Sequence, residues 1–181
     1  KKKMKQLSFF QNKSNILRYE LFKKMSEMQQ GHPGSIFSIL DFLTVLFYGN
    51  FINFSKSKKK FTDKIILSKG HATSALYPIL RDYGVISRKD WDNWGSLKKS
   101  KLRVFGNNKI PGIDVTSGSL GHGLGIGAGF GISYKKDRLK NNVYVIISEG
   151  ELYEGSTWET LLFIKNYNLT NVKIIIDINN L

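Results

Sequence analysis

Two oxygen-bearing positions set the chemistry this chain can attempt. Glu149 sits in Ser148-Glu149-Gly150-Glu151, directly after an apolar run, and Asn179 follows thirty residues later in Asp177-Ile178-Asn179-Asn180. A carboxylate and a carboxamide are hard donors that suit magnesium or calcium better than zinc, and no cysteine offers a soft thiolate instead. Magnesium takes one or two carboxylates and fills its shell with water and phosphate oxygens, so the implied ligand is a metal-bound phosphate or diphosphate. Polar residues at strand ends also cap the helices that follow them, and the spacing alone admits either reading.

The elements that must position these groups are legible around them. Residues 143–147 (VYVII) form an apolar run of strand length with four β-branched residues, the pattern of a parallel strand covered on both faces. Residues 154–166 carry Trp158, Leu161, Leu162 and Ile164 at helical spacing, and residues 172–178 (VKIIIDI) form a second buried β-branched run. Strand, helix, strand is the unit of a parallel sheet, which predicts an α/β fold. In open sheets of this kind ligands bind at the carboxyl ends of the strands, where Glu149 and Asn179 would meet in one crevice.

Five ordered pieces of sequence carry a family resemblance. They are Gly31-His32-Pro33-Gly34-Ser35, Leu67-Ser68-Lys69-Gly70-His71-Ala72, the stretch from Pro111-Gly112-Ile113-Asp114 through Ser117-Gly118-Ser119-Leu120-Gly121, the Glu149-Gly150 loop with Glu154-Gly155 and Trp158-Glu159, and Asp177-x-Asn179-x-Leu181. Together they resemble the amino-terminal, diphosphate-binding domain of the transketolase family, from about residue 7 to the last residue, 181. The resemblance implies a parallel sheet flanked by helices in the thiamine-diphosphate-binding fold. It also implies transfer of a two-carbon ketol unit between sugar phosphates of the pentose phosphate kind, with thiamine diphosphate and a magnesium or calcium ion.

The resemblance assigns roles residue by residue. Glu149, Asn179 and the main-chain oxygen of Leu181 are the implied metal ligands. Gly150 and Asn179 lie beside the diphosphate, His71 contacts it, and Gly118, Ser119 and Leu120 line the thiamine pocket. His32 and His71 are the implied catalytic histidines, His32 touching the sugar. Glu154 and Glu159 match acids near a dimer interface that link two active sites; helix amino-terminal acids favoured by the dipole are the plainer account of both.

Departures from the family pattern matter too. Ser148-Glu149-Gly150 stands where Gly-Asp-Gly is usual, which moves the carboxylate by about one bond length and brings a Ser side chain that could crowd a tight turn. Asn107 stands where a Gly-His-Pro histidine contacts substrate, and His122 where Gln is common. The family's second half, which supplies the glutamate that activates the aminopyrimidine ring, is not in these residues. The expectation is a carboxy-terminally incomplete domain, or a subunit of a homo- or hetero-oligomer that needs a partner chain and does not catalyse ketol transfer alone. The alternative is a degenerate, non-catalytic paralogue that serves as an interaction module.

Composition bounds the rest. A chain of 181 residues, 41% hydrophobic, suffices for one domain with a proper core. Its most apolar stretch, residues 36–52, is broken by Asp41, Thr44 and Gly49, so no membrane span is expected. The chain opens KKKMKQ without the apolar segment of a signal peptide, and with the resemblance this points to the cytoplasm. The net charge of +14 gathers in lysine runs at residues 56–60 and 98–101 and at the amino terminus. No nucleic-acid recognition motif accompanies these runs and no aromatic residues interleave with them, so they read as a solvated surface whose field would attract phosphorylated sugars.

Several local readings complete the sequence. Residues 14–30 predict an amphipathic helix with Ser14 as its cap, and residues 36–48 a mostly apolar helix ended by Gly49. Residues 54–62 read as a lysine-rich loop, 64–68 as a short buried strand, and 72–83 as a helix. Lys69, His71 and the amides at that helix start would favour an anion. Trp91, Trp94 and Leu97, at helical spacing, read as packing residues. Glycines at 118, 121, 123, 125, 127, 129 and 131 predict a buried helix with two bare faces, one through Gly121, Gly125 and Gly129 and one through Gly123, Gly127 and Gly131.

Overall fold

The computed structural model describes residues 2–96 and 98–178, with Lys2 described by its backbone only; Leu97, Asn179 and Leu181 lie outside the described residues. In chain order the elements are α1 (Lys2–Met28), α2 (Pro33–Tyr48), β1 (Phe54–Ser55), β2 (Lys60–Phe61), β3 (Lys64–Leu67), a 3-10 helix (Gly70–Ala75), α3 (Leu76–Asp82), α4 (Arg88–Asp92), α5 (Gly123–Lys136), β4 (Val143–Ser148), a second 3-10 helix (Glu149–Tyr153), α6 (Gly155–Asn166) and β5 (Val172–Asp177). Strands β3, β4 and β5 form a parallel sheet in that order, with Ile66 opposite Val145 and Val145 opposite Ile174.

The period-two alternation of the strands divides the interior into two cores. Ile65, Leu67 and Ile146 join Leu17 and Leu21 of α1, Leu40, Leu43 and Phe47 of α2, and Leu76 and Ile79 of α3. Ile66, Val143, Val145 and Ile147 point the other way, onto Leu124 and Ala128 of α5. Helix α5 reaches the sheet because one glycine row faces it. A methyl group added at Gly123 would collide with Ser68, at Gly127 with Val145, and at Gly131 with Val172. Of the second row, Gly121 lies ahead of α5 and is closely packed, an added methyl coming within 2.7 Å of Glu154 Cβ, whereas on the helix itself Gly125 looks toward Thr160 at 3.6 Å and an added methyl at Gly129 meets nothing within 4 Å. The expectation of two closely packed faces is corrected to one, because the sheet lies on only one side of α5.

Other expectations are adjusted by tertiary contacts. Ser14 is not a cap; α1 begins twelve residues earlier, at Lys2, and buried Ser14 donates to Asp41 of α2. The lysine-rich loop closes as a two-residue antiparallel ladder, Phe54 opposite Phe61, so that Phe61 is buried against Phe47. Strand β5 is less covered than its β-branched run predicts. It lies at the edge of the described sheet, and Ile176 is 42% exposed. Helix α6 likewise leaves Trp158 and Leu162 exposed, while Leu161 and Ile164 pack on the second core. Trp91 and Trp94 are buried as packing residues, with Trp94 edge-on to Tyr77. Among the described residues no helix is long and apolar enough to cross a membrane.

Candidate active site at the carboxyl edge of the sheet

Parallel strands deliver their carboxyl ends to one edge, and here that edge gathers Ser68-Lys69-Gly70-His71 after β3, Glu149-Gly150 after β4 and Asp177 at the end of β5. The turn before α2 adds His32. Its ring meets His71 edge-on, with centroids 5.5 Å apart, so histidines from two distant motifs converge. Phe105 closes on the same spot, 6.0 Å from the His32 ring, and is itself 45% exposed.

His71 is half-buried. Burial first, then the Lys69 ammonium and the His32 ring, hold it below the usual imidazole range, with Glu151 opposing. At neutral pH it is therefore an uncharged base. The unfolded chain binds a proton near 6.5, before the folded one does, so stability is expected to fall as pH drops through and below that value. Urea midpoints at about pH 7.5 and about pH 5.5 should separate wild type from His71→Asn, which loses this contribution to the slope. Equal slopes in the two proteins would contradict it.

Lys69 is not an exposed anion-binding cation, as its place before a helix start suggests. It is buried, pairs with the buried carboxylate of Asp177, and donates to Ser38 Oγ at 3.2 Å, while Ser38 Oγ donates to the same Asp177 oxygen at 2.7 Å. Its charge is spent inside the protein, tying the exits of β3 and β5 across β4. The following turn is 3-10 rather than α at Gly70–Ala75, and α3 begins only at Leu76. Gly70 is required there: a methyl group would overlap the Ser117 carbonyl and lie 2.9 Å from the Gly118 nitrogen.

The segment containing Gly118, Ser119 and Leu120 is thereby laid against the β3 exit, and Ser117 Oγ donates to the Leu67 carbonyl. All three residues are exposed at the site, and Gly118 faces Phe105. The Asn107 side chain is turned into its own loop. Its Oδ1 accepts from Lys109 N and its Nδ2 donates to the Lys101 carbonyl, both at 3.0 Å, so the side chain holds that turn, and Phe105 is the residue of this stretch whose ring meets His32.

Glu149 and Gly150 open the second 3-10 helix at the end of β4. Ser148 does not crowd this turn; it is extended, with φ −86° and ψ 160°, and forms a capping box with Glu151. Buried Glu151 was not singled out by sequence reasoning, although Ser148-x-x-Glu151 carries the capping-box spacing that could have found it. Glu154 is the residue before α6, half-buried, with no side-chain cap bond, and a methyl group added at Gly121 would lie 2.7 Å from its Cβ. Glu159 is exposed one turn further along α6, and His122 is exposed just ahead of α5.

The donor chemistry suits a metal-bound diphosphate. Glu149 supplies a hard carboxylate at the strand exit, a methyl group added at Gly150 would meet nothing within 4 Å, and an uncharged imidazole stands at the neighbouring exit. Asn179 and Leu181, the other implied ligands, lie outside the described residues.

Comparison with known proteins agrees with this architecture. Residues 11–181 match the family described as transketolase, thiamine diphosphate binding domain. One of the apulose-4-phosphate transketolase subunits of Phocaeicola vulgatus is 36% identical over 165 residues, covering 91% of this chain and 58% of its own length. Human transketolase is 33% identical over 179 residues, 97% of this chain and 28% of the human protein. The crystal structure of transketolase from Campylobacter jejuni superposes with a TM-score of 0.86 at 26% identity, over 96% of this chain and 29% of that one. The chain thus spans less than a third of the full transketolases and little more than half of the Phocaeicola protein. With the fold, the ordered motifs and these likenesses in agreement, the chain belongs to the transketolase family, its residues 11–181 matching the thiamine diphosphate binding domain.

Proposed function

We propose that this chain is the diphosphate-binding half of a transketolase-like enzyme that moves a two-carbon ketol unit between sugar phosphates, with thiamine diphosphate and magnesium. The observation that carries the reading is the convergence of His32, His71, the Gly118-Ser119-Leu120 segment and Glu149-Gly150 at one edge of a parallel sheet. The Phocaeicola relative is by its name one part of an assembly, which favours a separate second half as partner here. The reading includes a dimer or a hetero-oligomer and, carried over from the family, a cytoplasmic location. The positive net charge favours phosphorylated substrates.

Thiamine diphosphate, when bound, supplies the carbon that takes up and releases the ketol fragment. The chain's own residues hold and orient. The Glu149 carboxylate, with the Asn179 carboxamide and the Leu181 carbonyl, would hold the metal, and Gly150 lets backbone approach the diphosphate. Gly118, Ser119 and Leu120 form one wall. His71, uncharged at neutral pH, accepts a proton at a ring nitrogen, and His32 beside it faces the sugar. The Phe105 ring, 6.0 Å from that of His32, offers an apolar surface beside it. In this reading Glu154 and Glu159, at and just inside the start of α6, are the acids near a dimer interface that link two active sites.

Calorimetric titration of thiamine diphosphate, with and without magnesium, into the complete gene product coexpressed with any partner half tests the reading. Saturable binding that needs magnesium is expected, and a folded assembly that does not bind overturns it. In the same assay Glu149→Asp should retain wild-type affinity or gain up to about tenfold, ~1.4 kcal/mol, because the shorter carboxylate restores the family's spacing. A clear loss would show that the local backbone is fitted to glutamate.

A further inference from the structure

We propose that Glu151 is a positioning residue that holds the three cofactor-facing segments in mutual register; this rests on the reading of the site given above. The Glu151 side chain is fully buried, and its two oxygens are saturated by donors from three separate stretches of chain. Oε1 accepts from the Ser68 hydroxyl and from the Gly121 N–H at 3.1 Å. Oε2 accepts from the Ser148 N–H at 2.8 Å and the Ser148 hydroxyl at 3.2 Å. Ser68 Oγ in turn accepts from the Gly123 N–H at 3.0 Å, which fixes the start of α5 to the same centre.

Each donor stands next to a proposed ligand-binding piece. Ser68 precedes Lys69-Gly70-His71, Gly121 follows Gly118-Ser119-Leu120, and Ser148 precedes Glu149-Gly150. One buried carboxylate thereby sets the relative placement of the imidazole, the thiamine wall and the metal ligand. Only a carboxylate fits. An ionised carboxylate accepts at both oxygens, whereas an amide presents N–H₂ at one of them. The two hydroxyls can turn to accept from that group, but Gly121 N–H and Ser148 N–H are backbone donors on opposite oxygens. Either orientation of a glutamine sets N–H₂ against one of them.

A matched control lies at the far end of the same strands. Asp63, also buried, accepts from Asn53 N at 2.9 Å and Asn53 Nδ2 at 2.8 Å on one oxygen, and from Asn142 N at 2.9 Å on the other. Asp63→Asn therefore carries the same fault as Glu151→Gln, remote from the carboxyl edge.

The test compares these two variants with wild type in the complete gene product, coexpressed with its second half where one is encoded. The readouts are thiamine diphosphate affinity in the presence of magnesium and, without cofactor, hydrogen exchange at single amides. Glu151→Gln should weaken thiamine diphosphate at least about tenfold, the size of effect that outer-shell partners of a metal site have, and speed exchange at the Gly121 and Ser148 amides about tenfold or more. Asp63→Asn should lose comparable thermal stability with affinity and those two amides near wild type. Ser68→Ala, a milder change that leaves the carboxylate in place, should move affinity the same way by a few-fold.

Wild-type affinity in Glu151→Gln, or an equal loss in Asp63→Asn, overturns the proposal. If Glu151→Gln does not fold, Ser68→Ala decides between the same outcomes. Should wild type itself fail to bind thiamine diphosphate, the functional reading falls. Exchange at Gly121 and Ser148 then decides alone whether Glu151 holds these segments.

Discussion

Lys69→Met is expected to cost the fold about 3–5 kcal/mol, the usual penalty for removing one member of a buried ion pair and leaving the other uncompensated. Both partners are inaccessible, Lys69 at 1% and Asp177 at 9% exposure, and after the substitution Asp177 would keep only the Ser38 hydroxyl among these contacts. The geometry explains why a lysine is used. The exits of β3 and β5 are separated by β4, two strand spacings or about 9–10 Å, a distance that a long flexible stem with a terminal charge can cross.

Lys69→Met combined with Asp177→Leu should recover most of the loss, because a buried pair replaced by apolar groups is often neutral. Urea denaturation of the two single variants and the double variant measures this as a coupling free energy. A double variant as unstable as the sum of the singles would show that the pair contributes no mutual stabilisation. The cofactor site should register the change as well, since Lys69 leads into Gly70-His71 and Asp177 leads toward Asn179.

Gly70→Ala is the second large effect expected, at about 1–3 kcal/mol of stability together with a displaced thiamine wall. The added methyl would overlap the carbonyl group of Ser117, and the nearest further atom is the Gly118 nitrogen at 2.9 Å. All of these are backbone, so no side chain can rotate away; either the 3-10 turn or residues 117–120 must move. Ser117 resists such movement because its hydroxyl is bonded to the Leu67 carbonyl. Denaturation midpoints report the first consequence and thiamine diphosphate affinity the second. Gly34→Ala, where an added methyl meets nothing within 4 Å, is the comparison that should leave packing undisturbed. A Gly70→Ala protein as stable as wild type would mean that the segment is laid on less tightly than its contacts imply.

Much of the fold was legible in the sequence because it is written in local periodicity. The apolar runs at residues 64–68 and 143–147 became β3 and β4, covered on both faces as such runs require, with Ile66 and Val145 in one core and Ile65 and Ile146 in the other. The glycine ladder marked α5 as a closely packed helix, but which row faced the sheet depended on where the sheet lay. The site was legible only in part. His32 and His71 were found by motif, while Phe105, the pairing of Lys69 with Asp177, and the bonds of Glu151 to Ser68 and Gly121 were not, since each joins positions 30 to 108 residues apart that periodicity does not connect.

The family, the strand–helix–strand frame and the chemical types present at the strand exits can all be read along the chain. These follow from side-chain periodicity and from motifs whose spacing is short enough to be read along the chain. Which of those groups face the site depends on packing in three dimensions. Lys69, from its position a candidate phosphate ligand, is turned inward because a buried Asp177 awaits it two strands away. Glu151, one acid among several in a loop, sits at the centre because donors from the residue after β3, from Gly121 ahead of α5 and from the end of β4 meet there. Burial and the pairing of charge are properties of neighbours in space, and for these residues the neighbours are far away in sequence.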